Sequence, residues 1–260
     1  MKDFLKLFET NPVYYYSLSA WCAFAIIIFF ILIKFKNLPT YGRHVSKNGI
    51  LVNNKLGWVL MEIPTLILMP YFIFSSNNNP NMVIWCFFGL YMLHYTNRTI
   101  IFPLRLKIQK NKIPIHIIFS AAVFNFCNTF FLGYYFGKLA DYNLDWFKTP
   151  YFICGILIFF TGLFINQQSD TILINLRKEG ERAYKIPFGG LFKYISCPNH
   201  FGEIIEWIGF AILTCSFAGF SFALWTACNL LPRSKKHHNW YKKEFEDYPK
   251  ERKAALPFFW

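Results

Sequence analysis

The sequence predicts an all-α integral membrane protein: a bundle of seven transmembrane helices with its N-terminus outside and its C-terminus in the cytoplasm. Three observations carry this. The chain of 260 residues is 55% hydrophobic and only 16% charged, against roughly 25% charged in ordinary soluble domains. Its apolar residues come in long runs, such as WCAFAIIIFFILI at 21–33, which with their flanks approach the roughly 20 residues needed to cross hydrocarbon. Basic residues concentrate in alternate loops, as expected where positive loops stay in the cytoplasm.

The spans follow in order at 13–33, 56–74, 82–104, 113–137 and 151–174, with a further apolar stretch at 200–231. Lys34, Lys36, Arg43, Lys47 and Lys55 follow the first span, whereas SSNNNPN at 75–81, after the second, carries no charge. Arg105, Lys107, Lys110 and Lys112 follow the third, and Asp141 and Asp145 balance the loop after the fourth. Arg177, Lys178, Arg182, Lys185 and Lys193 follow the fifth, and the tail from Arg233 is basic again. The last two basic segments therefore lie on one side, and the stretch between them crosses an even number of times. At 1.5 Å of rise per residue, the stretch at 200–231 is short for two full spans, so a tight pair of short helices is expected there. No linker, low-complexity block or repeat divides the chain, so residues 1–260 read as one membrane domain.

The formal charge of +13 is explained by the loops beside the spans, not by nucleic-acid binding, since no basic nucleic-acid module is present. Seven cysteines lie mostly inside apolar runs without a CxxC pair and are expected to pack as small hydrophobes. His116, His200, His237 and His238 form no HxxxH or HExxH element, so no metal site is expected. No GxGxxG follows a strand-like run, which argues against a soluble dinucleotide fold. The first apolar run is long and ends in basic residues, as in a retained anchor, not a cleaved signal peptide.

Ionisable groups within such spans are costly and face a cavity or a partner. Glu62 stands in WVLMEIPTL, just before Pro64, where an apolar surround favours the neutral acid, a hydrogen-bond donor. Tyr91, His94, Tyr95 and Arg98 follow i, i+3, i+4, i+7 spacing and so share one helix face. Asn166 and Asp170 share another, as do Glu203, Glu206 and Trp207. These groups either staple helices together, with Glu62 paired to an arginine such as Arg98, or line a polar cavity.

Several blocks resemble the steroid 5α-reductase family, the vertebrate type 2 isozyme in particular: LPTYGRH, LMEIP, LHYTNRT, INQQSD, LRKEGERAYKIP, YKIPFGGLFKYISCPNHFGEIIEW and FEDYPKERKAALPFF, in that order. The resemblance implies seven helices, NADPH as hydride donor, and reduction of the C4–C5 double bond of 3-oxo-Δ4-steroids such as testosterone or progesterone. It implies that Glu62 and Tyr95 contact the steroid 3-keto oxygen. Tyr41, Arg98, Asn166, Asp170, Arg177, Tyr184, Asn199, Glu203, Trp207, Arg233, His237 and Tyr241 then match cofactor-binding positions, most of them in a C-terminal half at about 113–260. His200 departs from the pattern, because relatives carry an apolar aromatic there. The implied partners are the steroid and membrane lipid, with no nucleic acid and no obligate protein partner. The membrane is that of the endoplasmic reticulum or a bacterial inner membrane, the latter suggested by the abundance of Asn, Lys, Ile and Phe. A polyprenol or enoyl-lipid reductase, an S-adenosylmethionine-dependent methyltransferase and a non-enzymatic sterol-binding protein are the competing readings.

Overall fold

The computed structural model describes residues 9–35, 50–76, 80–107, 112–177, 181 and 183–257. Tyr41 and the whole of LPTYGRH lie outside the described residues. Helices dominate: α1 Pro12–Lys34, α2 Asn54–Phe74, α3 Met82–Thr96, α4 Phe102–Arg105, α5 Ile115–Tyr134, α6 Pro150–Asn175, α7 Pro198–Thr214 and α8 Phe217–Glu244. Among the described residues the all-helical expectation is amended by a short antiparallel ribbon, β1 Leu51–Asn53 with β2 Lys112–Pro114, in which Val52 pairs with Ile113.

Helix starts are written in the local sequence. Asn53 accepts from the backbone N–H of Lys55 and Leu56 to open α2, and Asn81 from Val83 and Ile84 to open α3. Thr149 and Ser216 do the same for α6 and α8, each satisfying an orphan donor of the first turn. Among the described residues four helices are long and apolar enough to cross a membrane: Pro12–Lys34, Asn54–Phe74, Ile115–Leu139 and Pro150–Asn175. The first, second and fifth expected spans therefore sit within two residues of the observed helices, and the fourth starts within two of its own.

The expected third span is helical throughout but in three pieces, α3, a π-helical turn at Asn97–Ile101 and α4. Pro103 cannot donate to the carbonyl four residues back, and the backbone N–H of Phe102 reaches Asn97 O instead, an i→i+5 bond. The late apolar stretch is two helices, α7 and α8, joined at Cys215, which adopts a left-handed φ of 43°. α8 continues well beyond the apolar stretch and makes most of the basic tail helical.

The chain forms two compact units, residues 1–36, 154–169 and 189–260 in the first, and 37–153 and 170–188 in the second. In the first, α1 packs on α8 through Trp21 and Trp225, ring centroids 4.5 Å apart, with Trp225 Nε1 donating to Trp21 O at 3.0 Å. The middle of α6 meets α7 backbone to backbone. A methyl at Gly202 would lie 2.5 Å from Asn166 N, and one at Gly162 would strike the backbone N of Glu206, the close approach that small residues permit between helices in lipid. The segment after α8 returns to α7's leading loop, where Ser196 N donates to Lys253 O at 2.8 Å and Cys197 N to Ala254 O at 3.1 Å. In the second unit α2 packs along α5, and Phe87, Phe136 and Tyr142 form an aromatic core with ring centroids 5.1–5.6 Å apart.

Candidate active site

In the second unit the polar groups converge on α5. Asn125, Asn128 and Thr129 are buried on one face of that otherwise apolar helix. Asn125 Nδ2 donates to Glu62 Oε2 and to Met61 O on α2, both at 2.8 Å. Thr129 Oγ1 donates to Asn125 O at 2.6 Å and lies 2.8 Å from the Tyr91 hydroxyl. A hydroxyl has one proton, and that of Thr129 is spent on a carbonyl that can only accept. Tyr91 therefore donates to Thr129, and its oxygen is left to accept from Tyr95, with which it is hydrogen-bonded and whose ring centroid is 4.6 Å away. Glu62 and Tyr95, expected to act as a pair, thus belong to one network centred on α5. Sequence reasoning missed Asn125 and Thr129. Their signal was present: polar residues at 125, 128 and 129 repeat i, i+3, i+4 within an apolar run.

Tyr91, His94 and Tyr95 are all buried, as their shared face predicts. Arg98 lies beyond the start of the π turn and pairs with Asp170, Nη1 to Oδ2 at 3.2 Å, its guanidinium 4.9 Å from the Trp58 ring centroid and 5.1 Å from that of Phe102. Arg105 Nη2 donates to Thr171 Oγ1 at 2.6 Å, and Lys107 Nζ to Asn175 Oδ1 at 2.7 Å. Arg177 lies over Tyr184, 4.8 Å from the ring centroid.

In the first unit a second polar cluster forms where α6 and α7 touch. Asn166 Nδ2 donates to Asn199 O at 3.0 Å and approaches Glu203 Oε2 at 3.4 Å. Asn166 Oδ1 and Arg233 Nε are buried without a hydrogen-bond partner among the described residues. Arg233 stands past the apolar stretch, at the start of the basic tail; burial lowers its affinity for its proton, and the Glu203 carboxylate offsets part of that. His237 lies 5.9 Å ring to ring from His200, and His200 Nδ1 is 2.8 Å from Ser234 Oγ. Trp207 is packed among Phe159, Phe210 and Phe222, the last with ring centroids 4.2 Å apart. Tyr241 stacks on Tyr248 at 5.3 Å. Asn166 and Asp170 stand one turn apart on α6, both buried, as their spacing predicts.

Comparison with known proteins identifies the family of the chain. Residues 111–260 match the family described as 3-oxo-5-alpha-steroid 4-dehydrogenase. The chain is 41% identical over 237 residues to the steroid 5-alpha-reductase DET2 of Solanum lycopersicum, covering 89% of this chain and 91% of that protein. It is 36% identical over 246 residues to 3-oxo-5-alpha-steroid 4-dehydrogenase 1 of Bos taurus, covering 91% and 93%. With the corresponding human protein it shares 39% over 225 residues, covering 84% and 85%. The ordered sequence blocks, the helical architecture and this extent of identity together make the chain a member of the 3-oxo-5-alpha-steroid 4-dehydrogenase, or steroid 5α-reductase, family.

Proposed function

We propose that the protein reduces the C4–C5 double bond of 3-oxo-Δ4-steroids to 5α-dihydrosteroids with NADPH, Glu62 and Tyr95 polarising the 3-keto oxygen. The observation that carries this reading is the α5-centred network, which holds an acid and a phenol in one apolar unit. A conjugated enone accepts hydride at its β-carbon only if its oxygen can take up the developing enolate charge. Preorganised donors in a water-poor site stabilise that charge without reorganising during the reaction. A neutral Glu62 offers one such donor, and Tyr95 offers the second once its hydroxyl turns from Tyr91 to the ketone.

NADPH, when bound, would supply the hydride for C5, and the enolate would then take up a proton at C4 to give the saturated ketone. Its phosphates need cationic donors not already committed, and the buried Nε–H of Arg233 meets that need. Arg177, its guanidinium 4.8 Å from the Tyr184 ring centroid, carries a guanidinium fork suited to phosphate oxygens. Asn166 Oδ1, a buried acceptor without a hydrogen-bond partner among the described residues, suits a ligand N–H. Arg98 contributes mainly N–H groups, since Asp170 balances its charge. Tyr41, Tyr184, Asn199, Glu203, Trp207, His237 and Tyr241 complete the binding set by resemblance. In this reading seven helices cross the bilayer, the Met82–Thr96 rod with its continuation and the α7–α8 pair joining the four long helices.

Detergent-solubilised protein should oxidise NADPH only when testosterone or progesterone is present, the steroid gaining two hydrogens by mass spectrometry. Unchanged steroid with folded protein and bound NADPH would refute the substrate assignment. Glu62→Gln and Tyr95→Phe should lose most turnover, whereas Arg177→Ala should mainly raise the NADPH concentration required.

A further inference from the structure

Asn125 stands in the middle of α5 and is 5% exposed. Its Nδ2 lies 2.8 Å from Met61 O and 2.8 Å from Glu62 Oε2. A backbone carbonyl only accepts, so the atom facing Met61 O must be the amide nitrogen, and the amide has one chemically sensible orientation. Both N–H groups of that nitrogen are then used, one on the main chain of α2 and one on the acid of the next residue. This fork ties the carboxyl to the helix that carries it. Thr129, one turn further along α5, donates to Asn125 O and so joins the same turn to the Tyr91–Tyr95 pair.

We propose that Asn125 is the positioning residue of Glu62, holding its side chain in one rotamer and assigning its acidic proton to Oε1. In a neutral carboxyl the carbonyl oxygen is the better acceptor. With an amide N–H on Oε2, that oxygen takes the carbonyl role and the O–H falls on Oε1, which donates to the ketone. A carboxyl without this fork populates both proton positions and several rotamers, and only one arrangement aims its donor. The inference rests on the reading of Glu62 as the ketone-polarising acid.

The test is made on the full-length protein in detergent or nanodiscs. Infrared difference spectra identify the C=O stretch of protonated Glu62 as the band lost in Glu62→Gln. In Asn125→Leu that band should move to higher frequency, because its hydrogen bond is gone. The same variant should lose about 10²-fold in kcat for testosterone, the order associated with misplacement of a catalytic group, with the steroid KM changed by less than about threefold, since uniform binding is spared. Asn125→Gln, which keeps both N–H groups, should recover part of kcat and return the band toward its original frequency. If Asn125→Leu fails to fold, Asn125→Ser replaces two donors with one, and the same band and rates are read. An unmoved Glu62 band with wild-type kcat in the Leu or Ser variant overturns the positioning role while leaving the acid role of Glu62 intact. Undiminished kcat in Glu62→Gln overturns the acid role itself, and the two failures are thereby distinguished.

Discussion

At the scale of single residues, proton counting decides more than proximity. Tyr91 gives its proton to Thr129 and receives that of Tyr95, so the resting protein parks the Tyr95 donor on Tyr91. Tyr91→Phe should free that donor, leaving steroid KM equal or lower, while loss of the buried hydrogen bond costs about 1 kcal/mol of stability. Steady-state kinetics beside thermal melts check both, and a raised KM would contradict the parking. The Arg98–Asp170 pair is a second case, with side chains 14% and 6% exposed. Asp170→Asn leaves a largely desolvated guanidinium uncompensated and should cost about 3–5 kcal/mol, whereas Arg98→Met with Asp170→Leu should recover much of the loss. A double-mutant cycle on unfolding midpoints measures this. The sequence placed Arg98 on the face of Tyr91 and Tyr95, but its partner Asp170 is far along the chain and no helical periodicity could reveal it.

At the scale of elements, close backbone approach and a clasp set where functional side chains stand. Gly202→Ala would put a methyl 2.5 Å from Asn166 N and push α7 from α6, where Asn199 and Glu203 meet Asn166. A loss of about 1–3 kcal/mol is expected from overpacking, together with a higher NADPH requirement in titrations. Beyond the apolar part of α8, Ser196 Oγ sits 2.6 Å from His238 Nδ1 and 2.6 Å from the Tyr248 hydroxyl. Burial, then Lys242, Lys235 and Lys253, push His238 down to about 4. Unfolded histidine titrates near 6.5, so the unfolded chain binds the extra proton first. Stability from this group is complete above about pH 6.5 and declines as pH falls toward 4, by about 1–3 kcal/mol. His238→Gln should flatten the dependence of the melting temperature on pH in that window. Helix starts were legible locally because caps act over three residues; the clasp joins positions 196, 238 and 248 and left no local trace.

At the scale of the whole molecule, the proposed arrangement across the membrane rests on charge and apolar length. With seven crossings, a fluorescent or protease-sensitive tag on the C-terminus should report the cytoplasm and one on the N-terminus the opposite side. In a background with the native cysteines replaced, single cysteines at the exposed positions Asp141 and Lys235 should label from opposite sides with an impermeant reagent. Same-side labelling would remove the odd span count. The two halves of the late stretch matter most, because one helix in place of α7 and α8 would reverse the side of the tail.

The sequence by itself determined the helical class, the four long apolar helices to within a few residues and the family, because hydropathy and capping act over short distances and sequence blocks are read directly. Only the tertiary structure decided that Glu62 is held by Asn125, that Arg98 is balanced by Asp170, and that glycines on α6 and α7 bring Asn166 to Glu203. Each of these depends on two side chains or backbones approaching within about 3 Å across different helices, a condition set by helix packing and rotamers that no periodicity along one segment encodes.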